Sequence, residues 1–186
     1  MTALQPLRSA GVARVVAAAR TVLERDGLAA LTMQSVAAEM GIRAPSLYKH
    51  VAGRHTIEIE LVADALGEAG AALHAALDEA APPPAAIAAL LDAYRRHALT
   101  NPDMYRLATT GPLPRRELPA GLEDWAGAPF LAVTGDAHLA QALWSFAHGM
   151  VVLELDGRFP EASDLDATWA AGATAFARAR VDQARS

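Results

Sequence analysis

The stretch that decides the fold is TMQSVAAEMGIRAPSLYKHV, residues 32–51. Thr32 offers an N-cap oxygen to a short helix whose Met33, Val36, Ala37 and Met40 share one face. Ser35 stands where a capping box takes Glu or Gln, so half of that signature is present. Gly41 breaks the helix at its far end. After Ile42 a second helix is expected from about Ala44 to His50, with Pro45 tolerated in its first turn and Leu47 pointing inward. Upstream, Val12, Val15, Val16, Ala19, Val22 and Leu23 recur at helical spacing, and Asp26-Gly27 closes that helix. Helix, short helix, sharp turn and short helix within residues 9–51 make a helix-turn-helix arrangement.

Downstream, strand-like alternation is nearly absent and prolines fall between periodic stretches. A long helix is expected from about Arg54 to Glu79, carrying Leu61, Leu66, Ala69, Leu73 and Leu77 inward, until Pro82-Pro83-Pro84 ends it. Ile87, Leu90, Leu91, Tyr94 and Ala98 form the next face, and Asn101-Pro102 interrupts before a short segment through Leu107. Four prolines and three glycines between Thr109 and Pro129 read as an irregular connection, with one helical turn near Glu123 to Ala126. Two final helices occupy about Asp136 to Asp156 and Ser163 to Gln183. The first is apolar on most of its circumference (Leu139, Leu143, Trp144, Phe146, Ala147, Met150, Val151, Val152, Leu153), as a helix covered on two sides must be. A partner subunit is the most economical second cover. The last helix sets small Ala170, Ala171, Gly172, Ala173 and Ala177 beside Trp169 and Phe176. The expected fold is all-α, with about nine helices.

The 186 residues include no cysteine, which removes disulfide frameworks, thiol catalysis, thiolate zinc sites and iron–sulfur clusters. No run of eighteen consecutive apolar residues and no secretory signal pattern is present, so no membrane span and a cytoplasmic location are expected. The net charge of −5 hides an uneven distribution. Residues 1–56 hold seven basic and three acidic side chains, a net +4, and the remaining nine basic and eighteen acidic residues give −9. A basic segment joined to an acidic remainder fits a polyanion-binding module attached to a body with another task. The division expected is therefore 1–56 and 57–186.

The motif at the basic end resembles the DNA-binding domain of the Tet repressor family of bacterial regulators. The residues that carry the likeness are Glu24/Gly27, Leu31-Thr32-Met33, Val36-Ala37 with Gly41, Leu47-Tyr48 with His50, and the basic Arg54 after Gly53. Val51 stands where the family often has Phe or Tyr, at a site that needs only an apolar plug. Asn101-Pro102 leading to Tyr105-Arg106-Leu107, and Trp144 with His148-Gly149, are similar to the C-terminal domain of a subgroup named for Trp-His-Gly.

The resemblance implies an N-terminal three-helix domain that binds double-stranded operator DNA and a C-terminal helical domain that binds a small-molecule effector. It also implies a homodimer through the last two helices and repression as the mode of action. A helix in the major groove needs short or hydrogen-bonding side chains at its N-terminal end. Arg43, Ala44, Pro45, Ser46 and Lys49 occupy the reading positions, where Arg43 suits a bidentate guanine contact, Ala44 and Pro45 suit thymine methyls, and Ser46 suits a base or a phosphate. Following the family pattern, Thr32, Tyr48, His50 and Arg54 would contact phosphates. Aromatic walls with a few polar groups make Tyr94, His97, Met104, Tyr105, Trp125, Phe130, Trp144, His148 and Phe176 candidate effector contacts, although each alone also suits ordinary packing. Gln141, Ser145 and His148 form one narrow polar stripe on an apolar helix, facing either the pocket or the dimer interface.

An enzyme is the main competing reading. The chain lacks a G-x-S-x-G elbow, a P-loop, a dinucleotide fingerprint and H-E-x-x-H, so no catalytic residue, cofactor or metal ligand is assigned. A helical adaptor using the motif against protein, and a metal sensor, are weaker still, since His74 and His97 lack ligand spacing.

Overall fold

A computed structural model describes residues 8–77 and 81–183, and among them every regular element is helical. In chain order the helices are α1 (Ala10–Asp26), α2 (Met33–Glu39), α3 (Ala44–Leu47), α4 (Arg54–Ala75), α5 (Pro83–Thr100), α6 (Pro102–Thr109), α7 (Leu122–Thr134), α8 (Ala137–Leu155) and α9 (Leu165–Gln183). A single 3-10 turn, Leu28–Ala30, follows α1. The chain forms two compact units, one of Met1–Glu68 with Asn101–Glu123, the other of Ala69–Thr100 with Asp124–Ser186. Charge divides the chain near residue 56, whereas compactness gives the first unit two separate stretches of chain.

In the first unit, Ser9 caps α1 by accepting from the Val12 amide, and Gly27 ends the helix at φ 80°. Val15, Val16, Ala19, Val22 and Leu23 then enter a core shared with Leu31, Val36, Ala37, Leu47, Val51, Ile57, Leu61, Ala65 and Met104. Burying each of the larger of these side chains contributes about 1.5–3 kcal/mol before the entropy of ordering it. The capping box of α2 is complete, in place of the half expected: the Thr32 amide donates to Ser35 Oγ (2.9 Å) and the Ser35 amide to Thr32 Oγ1 (3.0 Å). A serine hydroxyl reaches as a Glu carboxylate would, and it also donates to the Ala30 carbonyl at 2.6 Å. α3 is shorter than its spacing predicts. After Leu47 the amides of Lys49 and His50 donate three residues back, to Ser46 and Leu47, and this tightening brings Val51 into the core.

α4 reaches Ala75, and the expected end at Glu79 lies outside the described residues. The larger departure is α7, a thirteen-residue helix where only one helical turn, near Glu123 to Ala126, was expected within an irregular connection. Its face is apolar: Trp125, Ala126, Phe130 and Val133 are all buried. Pro129 lies inside it, has no amide hydrogen, and so leaves the Trp125 carbonyl without its helical donor. His74 Nε2 supplies that bond from α4 at 2.9 Å. A proline signal that predicts a break is overridden by one tertiary hydrogen bond.

In the second unit α5 packs on α8 and α9, and α8 packs on α9. Arg95 on α5 joins all three: its fork donates to Glu154 (2.7 and 3.0 Å) and to Asp166 (2.5 Å), and its guanidinium lies 5.7 Å from the Trp169 ring centre. Gly172 admits the Phe146 ring so closely that any Cβ there would collide with it. Gly172 therefore serves a close α8–α9 approach within the chain, whereas Ala170 and Ala171 are exposed.

Candidate nucleic-acid interface

The recognition segment is positioned by what it buries. Leu47 is fully buried and Val51 nearly so, anchoring the segment at both ends of a turn. Arg43, Pro45, Tyr48, Lys49 and His50 consequently project outward, while Ala44 and Ser46 are half-buried. Tyr48 is 59% exposed, an unusual position for a large aromatic ring with no packing duty. Arg43 occupies the N-cap of α3, and no side-chain cap bond ties it down.

Ion pairing separates the basic residues into two sets. Arg8 donates to Glu60 (2.5 Å) and Asp64 (2.7 Å) on α4. Arg20 pairs with Glu24 (2.7 Å) and with Glu68. Arg25 pairs with Asp26 (2.9 Å) and Glu39 (2.8 Å). Arg54 donates to Glu58 at 2.7 Å, so its charge is partly answered one turn along α4. Arg43 and Lys49 have no carboxylate partner among the described residues. Thr32 is exposed at the start of α2, with its hydroxyl engaged in the capping box. The His50 ring lies against Gly11 on α1, where a Cβ would strike it, a contact that helical periodicity does not reveal.

The residues expected to meet an effector are distributed over both units. Met104 and Tyr105 are buried in the first unit, Met104 within its core cluster. Tyr94, His97, Trp125, Phe130, Trp144, His148 and Phe176 belong to the second. There, Tyr94 meets Phe130 edge to face at 5.8 Å, Trp144 stacks on His148 at 5.8 Å, and Phe176 packs on Phe146 at 5.7 Å. His97 is half-buried. Missing from the expected set is His74, stacked on Trp125 at 4.8 Å; its proximity to an indole 51 residues away leaves no local sequence signal. Trp144 is 47% exposed, and Gln141 and Ser145 are exposed, with the Ser145 hydroxyl donating back to the Gln141 carbonyl. Burial pushes the His148 imidazole below its ordinary pKa, so the neutral ring is favoured.

A helix-turn-helix that turns unpaired cations and an exposed tyrosine outward has the form of a DNA reader. The comparisons with known proteins agree. A family model described as bacterial regulatory proteins, tetR family, matches residues 15–54, and one described as the Tetracyclin repressor-like C-terminal domain matches residues 87–176. An uncharacterized HTH-type transcriptional regulator of Mycobacterium tuberculosis, Rv0681, is 32% identical over 160 residues, covering 77% of this chain and 69% of that one. Among solved structures, putative regulatory protein SCO4313 is 25% identical with a TM-score of 0.71, covering 89% of this chain and 94% of that one. The multidrug binding protein EbrR, solved with imidazole, is 22% identical with a TM-score of 0.66, covering 90% and 95%; at that identity the likeness concerns the fold.

The chain belongs to the Tet repressor family of bacterial transcriptional regulators. Its helix-turn-helix is the DNA-binding element. Among the described residues no helix is long and apolar enough to cross a membrane.

Proposed function

We propose that the protein is a ligand-responsive repressor that binds a palindromic operator as a homodimer and releases it when a small-molecule effector occupies the second unit. The observation that carries this reading is the recognition segment, where Leu47 and Val51 are sunk in the core and Arg43, Tyr48 and Lys49 are left facing outward. In the groove, Arg43, Ala44, Pro45 and Ser46 read base edges, while Thr32, Tyr48, Lys49, His50 and Arg54 hold phosphates.

Dimerisation is supported by α8. Its Leu143, Ala147, Met150 and Val151 are buried within the chain, yet Trp144 is 47% exposed, and Ala170, Ala171 and Ala175 of α9 are exposed as well. A second copy of the same two helices covers that surface. Effector binding is supported by the aromatic content of the second unit and by Trp125 Nε1, a buried donor with no acceptor among the described residues. EbrR, a fold neighbour, is described as a multidrug binding protein. α4 is one continuous helix with residues in both units, so a shift of its second-unit end is carried to the DNA-binding end. Two heads must meet half-sites about 34–36 Å apart or a multiple of that, and an effector that favours another spacing releases the DNA.

Selection of bound duplexes from a random library, followed by sedimentation of the complex, tests the reading. An inverted repeat bound by two protomers is expected. Binding by a monomer to a site without symmetry would contradict it. No catalytic role is assigned, and turnover of a compound bound in the second unit would overturn that part of the reading.

A further inference from the structure

Of the seven basic side chains in residues 1–56, Arg8, Arg20, Arg25 and Arg54 are engaged by carboxylates. Three are not: Arg43 and Lys49 of the recognition segment, and Arg14 on α1, which is exposed and has no hydrogen-bond or ion-pair partner among the described residues. Arg14 stands apart from its own helix, because both arginines further along α1 are neutralised by named carboxylates.

Its position is given by Gly11. The His50 ring fills the space a Cβ at Gly11 would occupy, so the first turn of α1 abuts the end of the recognition segment. Residues three apart on a helix share a side, one turn apart, and helical side chains lean toward the N-terminus over the preceding turn. Arg14, exposed and three residues after Gly11, therefore stands on the same side of α1, one turn on from the contact with His50. A cation there lies beyond the base-reading positions Arg43 to Ser46, at the flank of the segment. The groove wall at that flank is sugar–phosphate backbone.

We propose that Arg14 is a further DNA contact, a sequence-independent phosphate clamp that α1 delivers beside the end of the recognition segment. The inference rests on the assignment of DNA binding to residues 32–54. An exposed arginine with no internal partner keeps its full charge for a phosphate and costs nothing in broken ion pairs when it binds.

The test is fluorescence anisotropy of the full chain on a random-sequence duplex over a salt series, which needs no knowledge of the operator. Wild type, Arg14→Ala, Arg14→Lys and Arg25→Ala are compared, the last removing the same charge from a neutralised position on the same helix. Arg14→Ala is expected to lower the slope of log affinity against log salt by about 0.9 per protomer, with Arg14→Lys restoring it and Arg25→Ala leaving it unchanged. Thermal melts check that all four proteins fold. An Arg14→Ala slope equal to wild type, or an equal loss in Arg25→Ala, would overturn the inference while leaving the DNA-binding assignment intact. A wild type that binds the duplex without salt dependence would overturn both.

Discussion

His74 Nε2 donates to the Trp125 carbonyl at 2.9 Å, filling the bond that Pro129, four residues further along α7, cannot make. The same imidazole stacks on the indole of Trp125, with ring centres 4.8 Å apart. His74→Phe keeps the stack and removes the donor, leaving a partly buried carbonyl unsatisfied. A loss of about 1 kcal/mol in urea unfolding is expected. Adding Pro129→Ala to that variant restores an amide for the Trp125 carbonyl and should recover part of the loss. Additive losses in the double-mutant cycle would contradict the compensation.

Arg95 holds α5 to α8 and α9 through Glu154 and Asp166, and the hydrogen bond with Glu154, countered in part by burial and then aided by Asp166, raises its pKa above an already high value. Truncation to Ala leaves Glu154, only 13% exposed, without its cation. The expected cost is about 2 kcal/mol, below the range for a fully buried pair because Arg95 and especially Asp166 are solvated. Chemical denaturation measures it. A change within the error of the method would show that the network adds nothing to the helix packing.

His148 is half-buried, and its folded-state pKa lies below the ordinary 6.5 because burial disfavours the charged ring. Protons therefore bind the unfolded chain more tightly. The neutral ring's contribution to stability is retained above pH 6.5 and lost as the pH falls through that value toward the lower folded-state pKa. Melting temperatures of wild type should drop more steeply between pH 7 and pH 5 than those of His148→Gln. Parallel pH profiles would remove His148 as the cause.

Arg43 and Arg54 should separate base reading from phosphate holding. Arg43→Ala is expected to relax the preference at one base pair by about 1–3 kcal/mol, whereas Arg54→Ala weakens all sequences alike. Glu58 shares the Arg54 guanidinium at 2.7 Å, so Glu58→Gln should strengthen binding by about 0.5 kcal/mol. Gel shifts on operator variants check the assignment, and uniform weakening by Arg43→Ala would reverse it.

The helix-turn-helix was legible because its signals are local. Val15, Val16, Ala19, Val22 and Leu23 repeat at helical spacing, Gly27 and Gly41 stop their helices at positive φ, and Leu47 sits between outward-facing neighbours. α7 was not legible. Gly127 and Pro129 carry breaker signals, and what overrides them is a side chain 51 residues away. Long-range pairs such as Arg8 with Glu60, 52 residues apart, leave no trace in composition either. For that reason the +4 of the N-terminal segment overstated the charge open to DNA: four of its seven cations are already answered by carboxylates.

If the segment ending at His50 enters DNA as proposed, Lys49 comes to lie beside the backbone. Lys49 is the single lysine of the chain, so its modification by an amine-reactive reagent, read by mass spectrometry of the peptide that contains it, reports on this segment alone. Labelling of Lys49 should fall severalfold when a selected operator duplex saturates the protein. Equal labelling with and without saturating duplex would rule out entry of this segment into the DNA.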